Sequence, residues 1–534
     1  MPVRLDENID KLVVVNLGAL RGKYGPEAPR IQRALNALIR ADHARNIRSV
    51  LVDVSAATQL ATVGAIPVAD VTDYVGAKRA IDALCNATAP DYVLLVGSND
   101  LLPLVPLATP FPSTEPDRDI PSDLPYACVE PAGSPLENYI APSRVVGRLP
   151  DLPGHGDHHA SVAFAAMIRQ STRWTSRLSD VYRNHLTIST AAWQVSTGIT
   201  ATGLFGIGAT VLNAPPASAP WDKATLRRPL HLINLHGAPA SSSWLGDPGF
   251  AVAIDASDLT GTIGAGTVVS CEACSGGDVF DPALSGGALP LPVAYLRNGA
   301  YGFVGPTCIS YGGRRVPDAA DVLCRYLVEE VLGGASIGRA FLQARQRYVT
   351  DQVIMTPADL KTLAQFVLLA DPSVVPVTAP EAVPLPPTVS SPSSSGVAPA
   401  PVAHHAPQGV PGEQALAAER LGRMMRRRNL ESHAAAIVGT TAVAIGGGVR
   451  STKDEARRLA ATVGRPESER GMRTYEVRTP GMASAAMSSA AHGATQLHVQ
   501  VRGRKRRTGG TRIDLVELAE GPGGVSLYRE LESR

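Results

Sequence analysis

A chain of 534 residues is longer than one ordinary hydrophobic core, so two or three domains are expected. With 44% apolar and 18% charged residues it has a globular composition. Six cysteines (Cys85, Cys128, Cys271, Cys274, Cys308 and Cys324) in so long a chain exclude a disulfide scaffold and fit reduced thiols. The net charge of +2 hides an asymmetry, because residues 413–534 hold 21 Lys and Arg against 13 Asp and Glu, and the remainder 29 against 35. A neutral to acidic body thus carries a basic tail, a charge balance that favours an anionic partner.

The N-terminal stretch MPVRLDENIDKLVVVNLG mixes charges and has no long apolar region, so no secretory signal is evident. The longest apolar run, Ala434–Val449, is shorter than the roughly 20 residues of a membrane span. No transmembrane segment and a cytoplasmic location are therefore expected.

In chain order, Leu12–Leu17 and Ser49–Val54 read as buried strands, with helical spacing of Ile31, Leu35, Leu38 and Ile39 between them. A helix over 70–87 leads to a third strand, Tyr92–Gly97. Continuous apolar strands alternating with helices predict a mostly parallel sheet covered on both faces. Residues 103–142, rich in Pro, Asp and Ser, read as a long surface excursion. Ser143–Gly147 returns as a strand, 159–178 is helical, and Ala191–Val195 is a candidate strand. Further on, Leu291–Asn298 reads as a helix, Tyr301–Gly305 as a strand, and 318–332, 336–348 and 356–369 as three helices.

Between these lie two apolar runs, Leu232–Leu235 and Thr267–Ser270, each ending at once in small residues and one reactive side chain. His236 is followed by Gly237, and Cys274 stands in Glu272-Ala273-Cys274-Ser275-Gly276. Functional side chains collect beyond the carboxyl ends of parallel strands, and neighbouring strands lie about 4.8 Å apart. An imidazole and a thiol so placed are the parts of a nucleophilic pair. Cys271 and Cys274 also spell C-x-x-C, which leaves a thiol oxidoreductase or zinc reading open, although no second cysteine pair at zinc spacing follows.

These stretches resemble the gingipain-type cysteine peptidases of the caspase-like clan. The spelling around Cys274 is similar to the nucleophile motif of legumain, and Trp244 after His236 to a gingipain pattern. Tyr92–Pro103, Ser122–Ala127, Val145–Pro150, Phe303–Thr307, Ile337–Tyr348 and Leu368–Val377 also follow the order of that family, while Trp193–Leu230 matches poorly. The resemblance implies a caspase-like three-layer α/β/α sandwich and a cysteine endopeptidase acting on protein or peptide substrates without a cofactor or metal. It implies His236 and Cys274 as catalytic residues and the amides of Gly237 and Cys274 as an oxyanion hole. Asp100, Asp123 and Glu137 lie in or beside the excursion that helps to wall the cleft in this family. An acidic residue there would select Arg or Lys, and Asp123 and Trp244 are the subsite candidates.

The expected organisation is a peptidase domain over 1–377, with 1–90 as its N-terminal α/β part, then a Pro/Ser-rich linker over 378–412. A small basic α+β module over 413–534 follows, with an unassigned partner and no nucleic acid expected, since its runs at Arg426–Arg428 and Arg502–Arg507 lack interleaved aromatics. Its strands are read at 473–478, 496–502 and 512–518. A catalytically silent interaction module of the same fold is the alternative. Cleavage after basic residues would make Arg428 and Arg507 self-cleavage points. His155, His158, His159, His404 and His405 read as solvated loop or linker residues.

Overall fold

The structure is a computed structural model that describes residues 5, 9–111, 115–216, 221–378, 413–450, 472–478, 496–505, 511–521 and 524–534. Its centre is a ten-stranded sheet. In chain order the strands are β1 (Lys11–Val15), β2 (Ser49–Asp53), β3 (Tyr92–Val96), β4 (Val146–Leu149), β5 (His185–Ser189) and β6 (Leu212–Asn213). They continue with β7 (Leu230–Asn234), β8 (Val268–Cys271) and β9 (Gly302–Pro306). The short strands β10 (Tyr311–Gly313) and β11 (Ile354–Met355) leave this sheet, and β12 (Phe366–Ala370) rejoins it. The order across the sheet is β2-β1-β3-β4-β12-β9-β8-β7-β5-β6. All neighbours run parallel except β12, which is antiparallel to β9 and makes one parallel bridge to β4, Leu369 to Arg148.

Alternation along each strand divides the core into two. Leu12, Val14, Val93, Leu95, Leu232 and Val304 pack on one face, under the helices Tyr74–Thr88, Ala320–Leu332 and Ile337–Thr350. Val13, Val15, Leu94, Val96, Ile233, Val269 and Phe303 pack on the other, under Ala28–Ala44, His158–Gln170 and Leu291–Arg297. Because strands of this kind are buried on both sides, they read as unbroken apolar runs. The fold is thus the expected three-layer α/β/α sandwich. Among the described residues no helix is long and apolar enough to cross a membrane.

Three expectations are corrected. The strand expected at 191–195 lies earlier, at β5, and Gln194–Phe205 is a helix. The helix expected over 356–369 stops at Gln365, where the apolar FVLLA continues as β12. The excursion over 103–142 is no surface loop, since its hairpin, Val105–Ala108 with Asp119–Ser122, buries Leu107 and Ile120, and Leu124 and Tyr126 follow them into the core.

The tail begins with the helix Glu413–Thr440 and continues with β13 (Ala442–Arg450), β14 (Met472–Arg478), β15 (Gln496–Lys505), β16 (Thr511–Gly521) and β17 (Gly524–Ser533). These five form an antiparallel meander whose outer strands each pair with a strand of the body, β17 with β10 and β13 with β11. Residues 379–412 of the expected linker, with His404 and His405, lie outside the described residues, as does Arg507. Part of the basic run faces the body: Arg426 pairs with Asp91 at 3.0 Å, while Arg427 pairs with Glu431 within its helix and Arg428 is exposed.

Arg529 fastens this sheet to the body. Its Nε donates to Glu517 at 2.6 Å, Nη1 to Asp318 at 3.2 Å, and Nη2 to Thr356 and Asp359, both at 2.8 Å. Every nitrogen is satisfied, as a buried guanidinium requires. Arg529→Met strands three carboxylates and is expected to lower stability by about 3–5 kcal/mol. Urea unfolding with limited proteolysis checks this, and the tail sheet should become cleavable before the body does.

Candidate functional site

The strands β7 and β8 are neighbours, paired Leu230 to Val268, His231 to Val269, Leu232 to Ser270 and Ile233 to Cys271. His236 lies three residues beyond Ile233 and Cys274 three beyond Cys271, so equal extensions of in-register strands bring them to one rim. The ladder goes one step further, with the Glu272 amide donating to the Ile233 carbonyl at 2.8 Å. Gly237 then lies against the backbone of Cys274, where a Cβ would collide with the Cys274 carbonyl oxygen. Only glycine permits this approach.

His236 is held on several sides. Its backbone exchanges two 2.9 Å hydrogen bonds with Leu245, in the strand Ser243–Gly246. Its ring meets Trp193 edge-on at 4.4 Å and Phe250 at 4.7 Å, and Nε2 lies 3.5 Å from Asp247 Oδ1.

Ser275, with φ +52°, turns the chain sharply after Cys274, and the Gly276 amide reaches the Ala273 carbonyl at 2.8 Å. Gly276 packs on Cys271 and Gly277 on the Gly305 carbonyl, so core packing demands the small residues after the thiol. The Cys274 sulfur lies against Ser310, accepting from its amide at 3.3 Å and facing its carbonyl at 3.6 Å. Cys274 is 5% exposed, and burial pushes its thiol up to about 12. Cys271, fully buried on β8, faces the core, and burial raises its thiol well above the usual range.

The loop carrying Ser310 is braced from the excursion. Asp117 accepts from the Ile309 amide at 2.8 Å and from Lys361 at 2.6 Å, while Glu115 takes the Lys361 ammonium and the Tyr311 hydroxyl. Burial of Lys361 is thereby offset by two carboxylates.

Beside Cys274 is a buried acidic pocket. Glu272 and Asp321 form its floor, and the Asn234 amide bonds Asp321 at 3.2 Å. The amides of Gly313 and Asp318 donate to the second oxygen of Asp321 at 2.8 and 3.2 Å. Burial and the neighbouring Asp321 carboxylate raise the Glu272 carboxyl well above its usual range, which Arg534 opposes.

The pocket holds the side chain of Arg534, only 3% exposed. Its Nη2 lies 2.8 Å from both oxygens of Asp321, 3.1 Å from the Gly313 carbonyl and 3.8 Å from Glu272 Oε2. The guanidinium stacks on Trp193 at 4.3 Å, a cation–π contact. Gly312 makes this possible, since a Cβ there would collide with the guanidinium.

Of the residues singled out in the sequence, His236, Gly237 and Cys274 come together at this rim. Asp123 and Trp244 do not join them. Asp123 is buried in a forked pair with Arg148, at 2.9 and 2.6 Å, which uses up its carboxylate. Trp244 is buried among the rings of Tyr295 and Phe303. His155 and His158 pair with Asp281 and Glu27, and Asp100 pairs with Lys23 at 2.7 Å. Asp321, Trp193, Asp247 and Ser310 carried no local signal in the sequence. Among the described residues no group of three or more His, Cys, Asp or Glu side chains could hold a metal ion.

No family model matches the chain, and no curated protein matches it in sequence. A solved structure described as "Structure of Protease" is similar to it over 99% of this chain and 98% of that one, with 12% identity and a TM-score of 0.45. A likeness at that level says nothing about the chemistry of the site.

A thiol pushed up to about 12 is almost wholly protonated at neutral pH. The rate of Cys274 alkylation by iodoacetamide should therefore rise about tenfold per pH unit from 7 to 10, the thiolate being the nucleophile. Peptide-mapped labelling kinetics, with Cys274→Ala as blank, check this, and a plateau near pH 8 would contradict the buried environment.

Proposed function

We infer that the chain is a cysteine-type endopeptidase of the gingipain-like, caspase-related kind, acting on protein or peptide substrates. The reading is supported above all by the in-register approach of His236 and Cys274 beside a buried acidic pocket. Cys274, its proton passed to His236, attacks the scissile carbonyl, and the developing oxyanion meets the amides of Gly237 and Cys274. Each such donor is worth on the order of 3 kcal/mol. His236 protonates the departing amine, the C–N bond breaks, and a thioester remains on Cys274. Water, deprotonated by His236, then attacks the thioester carbonyl and releases the new carboxylate and the thiol. Asp247 is the positioning residue that orients the imidazole. Glu272 and Asp321 select a cationic side chain, Arg before Lys, at the residue preceding the cut bond, because desolvated carboxylates demand a charged, hydrogen-bonding partner.

Burial of the thiol is the one observation that favours a second reading, a silent interaction module of the same fold. Peptide turnover decides between them. The full chain and its Arg534→Ala variant are assayed on fluorogenic peptides with Arg, Lys, Gln or Ala before the reporter. Cleavage after Arg is expected, blocked by iodoacetamide and unaffected by EDTA. In the Arg534→Ala background, Cys274→Ala should abolish it and His236→Ala lower kcat by about 10²- to 10⁴-fold. Asp321→Asn should erode the preference for Arg over Gln by roughly 10- to 100-fold. Asp247→Asn should lower kcat and shift its pH profile at an unchanged KM. No turnover in any of these chains would leave the silent module.

A further inference from the structure

We propose that the C-terminal strand β17 is a ligand of the chain's own substrate groove and holds the site closed in cis, with Arg534 in the place of the substrate's selected side chain. This rests on the peptidase reading above and adds its regulation.

The strand is bound as an extended peptide would be. It runs antiparallel to β10, with Leu531 opposite Gly313, Glu532 opposite Gly312 and Ser533 opposite Tyr311. The Arg534 amide then donates to the Ser310 carbonyl at 2.9 Å, and Ser310 is the residue whose amide meets the Cys274 sulfur. Backbone pairing to a strand edge, with one side chain sunk in a pocket, is the usual way a groove reads an extended segment. The chain of β17 runs toward Cys274.

Two buried arginines of this tail differ in a way that separates a fixed brace from an exchangeable ligand. Arg529 has all three nitrogens satisfied. For Arg534 only Nη2 makes hydrogen bonds, while Nε and Nη1 find no partner, and Glu272 Oε2 on the pocket floor also lacks one. A buried set left incomplete is costly for a structural ion pair. It suits a pocket shaped for a guanidinium that arrives on another backbone. Tethering explains how so imperfect a ligand fills the site. A segment joined to its groove acts at an effective concentration on the order of millimolar, so a free-peptide Kd of about 10 µM would give roughly hundredfold occlusion.

The experiment uses the full chain. A fluorescein-labelled Leu-Glu-Ser-Arg peptide, the sequence of residues 531–534, is titrated by anisotropy into Cys274→Ala and into Cys274→Ala with Arg534→Ala. Binding at least tenfold tighter to the double variant is expected, and none by Leu-Glu-Ser-Ala. Arg534→Gln, which keeps length and polarity, repeats the test if the alanine chain folds poorly. In the Cys274 background, Arg534→Ala should raise kcat/KM for Arg-bearing substrates tenfold or more. Equal peptide affinity with and without the Arg534 side chain, or equal turnover in the two active chains, overturns the proposal while leaving the peptidase reading intact. Differential binding without turnover in any chain supports the occlusion and removes the peptidase reading instead.

Discussion

Side-by-side strands of a parallel sheet deliver their trailing residues to the same rim only if the ladder between them is unshifted and each chain runs on by the same length. Between β7 and β8 both conditions hold. A slip of one residue would turn His236 or Cys274 to the other face, because side chains alternate along a strand. The closeness of Gly237 to the Cys274 backbone follows from this register, and so does the placing of Glu272 beside the pocket. The chemistry proposed for this rim hangs from four residue pairs.

The molecule buries several charged side chains, in different states of completion. Lys11 lies between Asp42 and Asp371, at 2.8 and 2.5 Å, with Ser373 at 3.0 Å as a third acceptor. Lys361 is shared by Glu115 and Asp117, and Arg529 by Glu517, Asp359 and Asp318. Lys11 has three acceptors, Lys361 two and Arg529 four, so each cation is held by more than one partner. Desolvated charge is tolerable only on such terms. The acidic pocket departs from the pattern, since Arg534 Nε and Nη1 and Glu272 Oε2 find no hydrogen-bond partner there.

The two reactive side chains were legible because each signal is local, an apolar strand breaking off at a polar residue flanked by small ones. The layers were legible for the same reason: runs such as Leu12–Val15 and Tyr92–Val96 have the continuous apolarity of strands covered on both faces. What escaped depends on contacts far apart in sequence. Asp321 reads as an ordinary first-turn acid of its helix, and its partner Arg534 is 213 residues away. Trp193 lies in a stretch with little periodicity and no recognisable motif. Proline hid the periodicity of the excursion, although its Leu107, Ile120 and Tyr126 are core residues. Phe366–Ala370 is a short apolar run after a helix, for which helix and strand patterns coincide until a neighbouring strand decides. Asp123 and Trp244 have the residue types a subsite wants, but Arg148 and the ring cluster had first claim on them.

The tail sheet is fenced at both ends by strands of the body, and one of those fences, β10, is only three residues long. Peeling β17 from it disrupts few backbone hydrogen bonds and uncovers residues 531–533, the only part of that edge of the ten-residue strand that a described strand pairs with. A strand edge left unpaired along its whole length is a template for pairing with other chains. Any state in which β17 has left its place would therefore be prone to self-association, and its lifetime would fall as protein concentration rises.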